Sequence, residues 1–197
     1  MSRRRGSFPR RQRAQARSRW LRGGLIAIAV AVAVAVAVAV SLNGANTGAL
    51  TGSTAPPGGF RTTAGAAETI SALRGQPTLL WFVTTWCDSC QAGTATMARE
   101  IQTFAARHVR VVELELAGDL GQPGPSIDQF AHQLAGREAS NPDWTFGVAS
   151  PSLTRQYDPD GYLDIYYLLD ADGRVRYVNG SPSATMGQLL AHVDQLG

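Results

Sequence analysis

The chain has 197 residues, 18 basic and 15 acidic, with a formal charge of +3. The positive balance belongs to one end only: every basic residue is arginine, nine lie between Arg3 and Arg22, and Leu25 onward carries 9 − 15 = −6. A basic arm that abuts an apolar segment points to a membrane and not to nucleic acid, and no phosphate-binding glycine loop, hydrolase triad or paired-carboxylate site stands out.

Residues 1–24 are read as a basic cytoplasmic arm. The run Leu25–Leu42 is apolar and includes six consecutive Ala-Val pairs, Ala29 to Val40. At about 1.5 Å per residue it spans roughly 27 Å, enough to cross a bilayer core as one transmembrane helix. Arginines on its N-terminal side keep that end in the cytoplasm and place the rest in the periplasm or at the cell exterior. A cleaved signal sequence is the alternative, with small residues near Ala37-Val38-Ala39 available for cutting, although its apolar core is ordinarily about 7–15 residues. Either route delivers the remainder to a disulfide-permissive compartment. Residues 43–67, rich in Gly, Ala, Thr, Ser and Pro, are expected to be a flexible linker, and residues 68–197 a single domain.

Within that domain, Glu68–Arg74 is expected to form a short leading helix and Pro77–Thr85 a buried strand. From Cys90, the apolar residues Met97, Ile101 and Phe104 recur at helical spacing to about Arg107. Val109–Leu116 reads as a second strand, Gly118–Pro125 as a loop and Ser126–Gly136 as a helix. A short segment at Trp144–Val148 precedes a helical turn at Pro151–Tyr157. Ile165–Leu169, the Asp170–Gly173 turn and Val175–Val178 make a hairpin, and Ser183–Leu196 closes as a helix. This order predicts an α/β mixed sheet with helices on both faces.

The chemistry concentrates at Trp86-Cys87-Asp88-Ser89-Cys90, directly after the apolar run Leu79–Val83, and the chain has no other cysteines. A strand that feeds C-x-x-C into a helix N-terminus is how a redox dithiol is built, because free N–H groups and the helix dipole favour the first thiolate. Asp88 opposes that effect, so the couple is expected to be more reducing than that of a strong oxidant. A structural disulfide is the bland alternative, and so short a loop gains little from closure. Two thiols with no third strong ligand suit a metal poorly, and His108, His132 and His192 read as surface or helix-end residues.

The Trp86–Cys90 motif, together with Tyr167-Leu168-Leu169-Asp170-Ala171-Asp172-Gly173 (compare "FLID-x-DG"), resembles the membrane-tethered thiol–disulfide oxidoreductases of the TlpA/ResA type. The resemblance implies a thioredoxin-like fold without a cofactor, and a monomer that exchanges disulfides with protein substrates, as a reductase. A membrane-embedded thiol carrier would recharge it. Cys87 would be the exposed nucleophile and Cys90 the resolving thiol; Trp86 would flank them, and Asp88 and Ser89 would tune the potential. Three positions depart from the family. Asp164 stands where such folds place a cis-proline, Trp81 where thioredoxins carry a buried acid, and Gly93 where ResA-type proteins carry a glutamate. Asp164 is the replacement expected to accept the proton of Cys90. The competing readings are a non-catalytic thioredoxin-fold binding domain and a Sco-like metal chaperone, although the latter uses C-x-x-x-C and a histidine that this chain lacks.

Overall fold

The computed structural model describes residues 50–196. The expected basic arm, the anchor and the first part of the linker lie outside these residues. Among the described residues no helix is long and apolar enough to cross a membrane.

Seven strands form one mixed sheet: β1 (Gly59–Thr62), β2 (Ala67–Thr69), β3 (Thr78–Val83), β4 (Arg110–Glu115), β5 (Trp144–Ala149), β6 (Ile165–Leu169) and β7 (Val175–Gly180), in the order β2-β1-β5-β4-β3-β6-β7. The central β5-β4-β3 strands are parallel, and β6-β7 on one side and β1-β2 on the other add antiparallel. β3 reads Thr-Leu-Leu-Trp-Phe-Val with every residue buried, as a central strand covered on both faces requires. Its side chains alternate between two cores. Leu79, Trp81 and Val83 meet the helices α1 (Asp88–Ala105), α2 (Ile127–Ala135) and α4 (Pro182–Val193). Leu80 and Phe82 meet α3 (Pro151–Tyr157) and the short turn Ile70–Leu73. In that second core Tyr157 stacks on Phe82 with centroids 5.0 Å apart and meets Tyr167 edge-on at 5.0 Å, a geometry that adds to the area buried.

Two expectations need correction. The stretch read as a linker is ordered from at least Leu50 and supplies β1 and the start of β2, so the folded unit begins before Glu68. Its composition conceals the strand, because within β1 Phe60 alone is large and apolar, yet Phe60 is buried while Arg61 faces out. Thr54 bridges to Arg174, and the Tyr157 hydroxyl donates to the Pro56 carbonyl at 2.7 Å. The leading helix is also replaced: Glu68 lies in β2, and only Ile70–Leu73 coils, as a tight turn capped by the Thr69 hydroxyl.

β1 lies close against β5 because residue 147 is glycine. A Cβ there would stand 2.5 Å from the Arg61 carbonyl oxygen, a backbone atom with nowhere to go. Gly147→Ala is therefore expected to cost on the order of 2 kcal/mol. The urea midpoint should fall, and amide protection should be lost selectively in β1 and β2; an unchanged midpoint would refute the close-approach argument.

Candidate active site

The end of β3 delivers Thr84, Thr85 and Trp86 to the start of α1. Cys87 is the N-cap, with extended φ/ψ of −84° and 123°, and its sulfur accepts the Cys90 N–H at 3.3 Å. The Ser89 hydroxyl lies 3.1 Å from the same sulfur. Both cysteines are free thiols. Cys87, expected to be exposed, retains only 7% exposure, and Cys90 has none. Cys90 lies one turn inside the helix, and its thiol donates to the Leu163 carbonyl at 3.3 Å. Burial foremost, and the nearby Asp164 carboxylate second, push the Cys90 thiol far above its ordinary range.

Two loops frame the pair. In the first, Gly118, Asp119 and Leu120 turn in the left-handed sense, with φ of 61°, 52° and 55°. Asp119 is buried, and its carboxylate accepts from the Thr85 N–H at 2.8 Å and the Thr85 hydroxyl at 2.5 Å. Its backbone carbonyl holds the Trp86 indole N–H at 2.9 Å, which fixes that ring beside Cys87. In the second loop Leu163 has φ of 67°, and the buried Asp158 carboxylate accepts the N–H groups of Tyr162 and Leu163 at 2.7 and 3.2 Å. No peptide bond among the described residues is cis, so Leu163–Asp164 is trans.

Asp164 is buried, at 4% exposure, so it is not a solvated loop acid. The Trp81 indole N–H donates to its Oδ1 at 2.8 Å. Burial raises the Asp164 pKa, while Trp81 and the hydroxyls of Ser89 and Ser181 favour its ionised form. The departures at Trp81 and Gly93 are two sides of one contact: a Cβ at Gly93 would stand 2.7 Å from the Trp81 ring. Asp88, the remaining expected site residue, sits in the first turn of α1 with its side chain exposed.

Sequence reasoning missed Glu113. It lies on β4 in direct register with Trp81 and has no exposure. The Thr94 hydroxyl lies 2.6 Å from its Oε1 and 3.0 Å from the Cys90 carbonyl oxygen. Burial, its largest perturbation, raises the Glu113 pKa to about 8, with the Asp164 charge acting the same way. The signal was an acid on the inward face of an apolar strand, two residues from buried Val111. Asp119 and Asp158 were missed as well, because loop acids give no sequence hint that they will be buried.

Among the described residues no cluster of three or more His, Cys, Asp or Glu side chains is placed to hold a metal ion. His108 ends the turn after α1, His132 lies on α2, and His192 stacks on Tyr177 with centroids 3.8 Å apart.

Two buried consequences can be measured. Gly93→Ala should lower stability by about 1–3 kcal/mol through the clash with the Trp81 ring, and Trp81→Phe should relieve part of that loss in a double-mutant cycle; additive effects would argue against the contact. For Glu113 the unfolded chain releases its proton near 4.5 and the folded chain near 8. Between those values the folded state binds more protons, so this group removes stability as pH rises from 4.5 to 8, and no further above. Glu113→Gln should gain on the parent across that window by up to about 1.4 kcal/mol per pH unit; a constant gap in urea midpoints would refute it.

No protein-family model matches the chain, and no curated protein matches it. Solved structures do. A candidate thiol:disulfide interchange protein DsbE from Chlorobium tepidum is 21% identical, with a TM-score of 0.56 over 74% of this chain and 99% of that one. A secreted Mycobacterium tuberculosis disulfide oxidoreductase homologous to E. coli DsbE is 22% identical, with a TM-score of 0.53 over 70% and 95%. ScoI of Arabidopsis thaliana with copper bound is 16% identical, with a TM-score of 0.53 over 73% and 99%. At such identities the common property is architecture: the described residues have a thioredoxin-like fold.

Proposed function

We propose that this domain is a thiol–disulfide oxidoreductase that reduces protein disulfides outside the cytoplasm through Cys87 and Cys90. The observation that carries the reading is the pairing of a cysteine at a helix N-cap with a buried second thiol one turn away, beside the carboxylate of Asp164. A disulfide serving only as a staple needs no buried acid next to it.

The residues divide the chemistry as follows. The Cys87 thiolate attacks a substrate disulfide, forms a Cys87–substrate mixed disulfide and releases the first substrate thiolate. Cys90 passes its proton to Asp164, and its thiolate attacks Cys87 Sγ. The Cys87–Cys90 bond forms, the bond to the substrate breaks and the second substrate thiolate leaves. The dithiol loses two electrons and the substrate gains them. Without a base, a thiol pushed this far up would resolve slowly, which is why the burial of Asp164 matters.

The exported, membrane-tethered setting rests on the arginine arm and Leu25–Leu42. In that setting a membrane-embedded thiol carrier returns the two electrons, and protein disulfides are the substrates. The family resemblance and the fold shared with the DsbE-like proteins support this over the binding-domain alternative.

Titration in glutathione and dithiothreitol buffers should give one reversible two-electron transition near or below about −250 mV. Cys87→Ser should abolish exchange, and Cys90→Ser should accumulate the mixed disulfide. A dithiol that cannot be cycled would leave the non-catalytic binding domain as the better reading.

A further inference from the structure

The buried polar cluster beneath the dithiol contains more acid than the exchange chemistry uses. Asp164 and Glu113 flank Trp81, one bonded to its indole N–H and the other beside it in strand register. Two carboxylates buried this close to one thiol cannot both ionise cheaply. Their surroundings divide the roles. Asp164 faces a group that can only donate, the Trp81 indole N–H on its Oδ1, and its Oδ2 makes no hydrogen bond. Glu113 has the Thr94 hydroxyl, its Oε2 makes no hydrogen bond, and it joins none of the ion pairs among the described residues.

The hydrogen bonds identify the protonated partner. The Thr94 hydroxyl has one proton, yet it lies within bonding distance of two acceptors, the Cys90 carbonyl and Glu113. Both contacts are satisfied only if Glu113 is itself protonated and donates to the Thr94 oxygen, while Thr94 donates to Cys90. An ionised Glu113 would claim the hydroxyl proton and leave the Cys90 carbonyl without that bond.

We propose that Glu113, a neutral acid tied to the Cys90 turn through Thr94, is a positioning residue. It leaves Asp164 as the sole anion beneath the dithiol and so sets the upper pH limit of the Cys90 resolving step. This rests on the exchange reading above. Once Glu113 ionises, a second buried negative charge opposes the Cys90 thiolate and the first turn of α1 loses its Thr94 tie. The titratable groups about it are Asp164 before β6 and, across the Thr94 hydroxyl, Cys90 on α1; Trp81 on β3 and Phe146 on β5 flank it in register. Its strand neighbour Glu115 is pushed up first by burial and then by the Asp119 charge.

The test uses the full reduced chain and 5,5′-dithiobis(2-nitrobenzoate). Attack by Cys87 releases one coloured thiolate, and resolution by Cys90 releases the second. Followed by stopped flow from about pH 5 to 10, the second phase should accelerate with pH in the parent and then break near pH 8. In Glu113→Gln the break should be lost, because the amide imitates the protonated acid. Carboxyl-labelled glutamate NMR of the parent gives a reading independent of any variant's folding: a buried glutamate should hold its proton above neutral pH, and its signal should be missing in Glu113→Gln. Two equivalents released with the same pH profile in parent and variant overturns this inference alone. So does a Glu113 carboxyl already ionised at neutral pH. Release of only one equivalent from the parent overturns the exchange reading, and this inference with it.

Discussion

The contact on which the site depends is the Trp81 indole against Asp164. Trp81 sits at the centre of β3 with no exposure, so its N–H must find an acceptor, and the acceptor it finds is a carboxylate at the entry to the neighbouring strand β6. That bond fixes Asp164 beneath Cys90. The ring fixes Gly93, since no side chain fits against its edge, and the strand register sets Glu113 on the opposite flank. A thioredoxin-like arrangement with an acid at the Trp81 position would bring one carboxylate up from β3. Here that position is filled by a large apolar ring with a single donor, and the acids come from β4 and from the loop before β6. The polar chemistry has moved outward by one strand on each side without leaving the core.

The frame around this cluster was open to sequence reasoning, because its elements are long and strongly patterned. β3 is a continuous apolar run, α1 carries Met97, Ile101 and Phe104 on one face, and the Asp170–Gly173 turn has the glycine its φ of 75° requires. The Asp170 carboxylate also accepts from the Asp172 and Arg174 N–H groups, which closes the hairpin locally. β1 and β2 were not legible for the opposite reason. An edge strand of three residues and its four-residue neighbour, with one buried aromatic between them, give too few alternations to outweigh a composition rich in Gly, Thr and Ala. Their pairing is specified by the partner, through Gly147, and not by their own residues. Asp164 was identified from its place in a family pattern, whereas Glu113 depends on a cross-strand neighbour that no local pattern reveals.

Both loops that frame the cysteines obey one rule: a left-handed backbone is held by a buried carboxylate. Non-glycine residues at positive φ cost of order 1–2 kcal/mol each. Asp119 itself, Leu120 and Leu163 all adopt such angles. The offset comes from charge-assisted bonds, Asp119 to Thr85 and Asp158 to the Tyr162 and Leu163 N–H groups, each worth more than a neutral hydrogen bond. Strain and clamp together orient the loops against the end of β3 at Val83.

That economy bears on how the dithiol meets another chain. The Leu163 N–H is taken up by Asp158, and its carbonyl receives the Cys90 thiol, so the backbone beside the site is engaged internally. A partner strand cannot use the Leu163 N–H for main-chain pairing without displacing a carboxylate. What the loops offer outward is side chain: Tyr162 is 67% exposed and Leu120 39%, with Trp86 held alongside by Asp119. In the exchange proposed above, recognition at such a rim would rest on apolar contact around the reacting disulfide more than on backbone register. It would therefore discriminate by what flanks the cysteines and tolerate variety in the strand geometry that presents them.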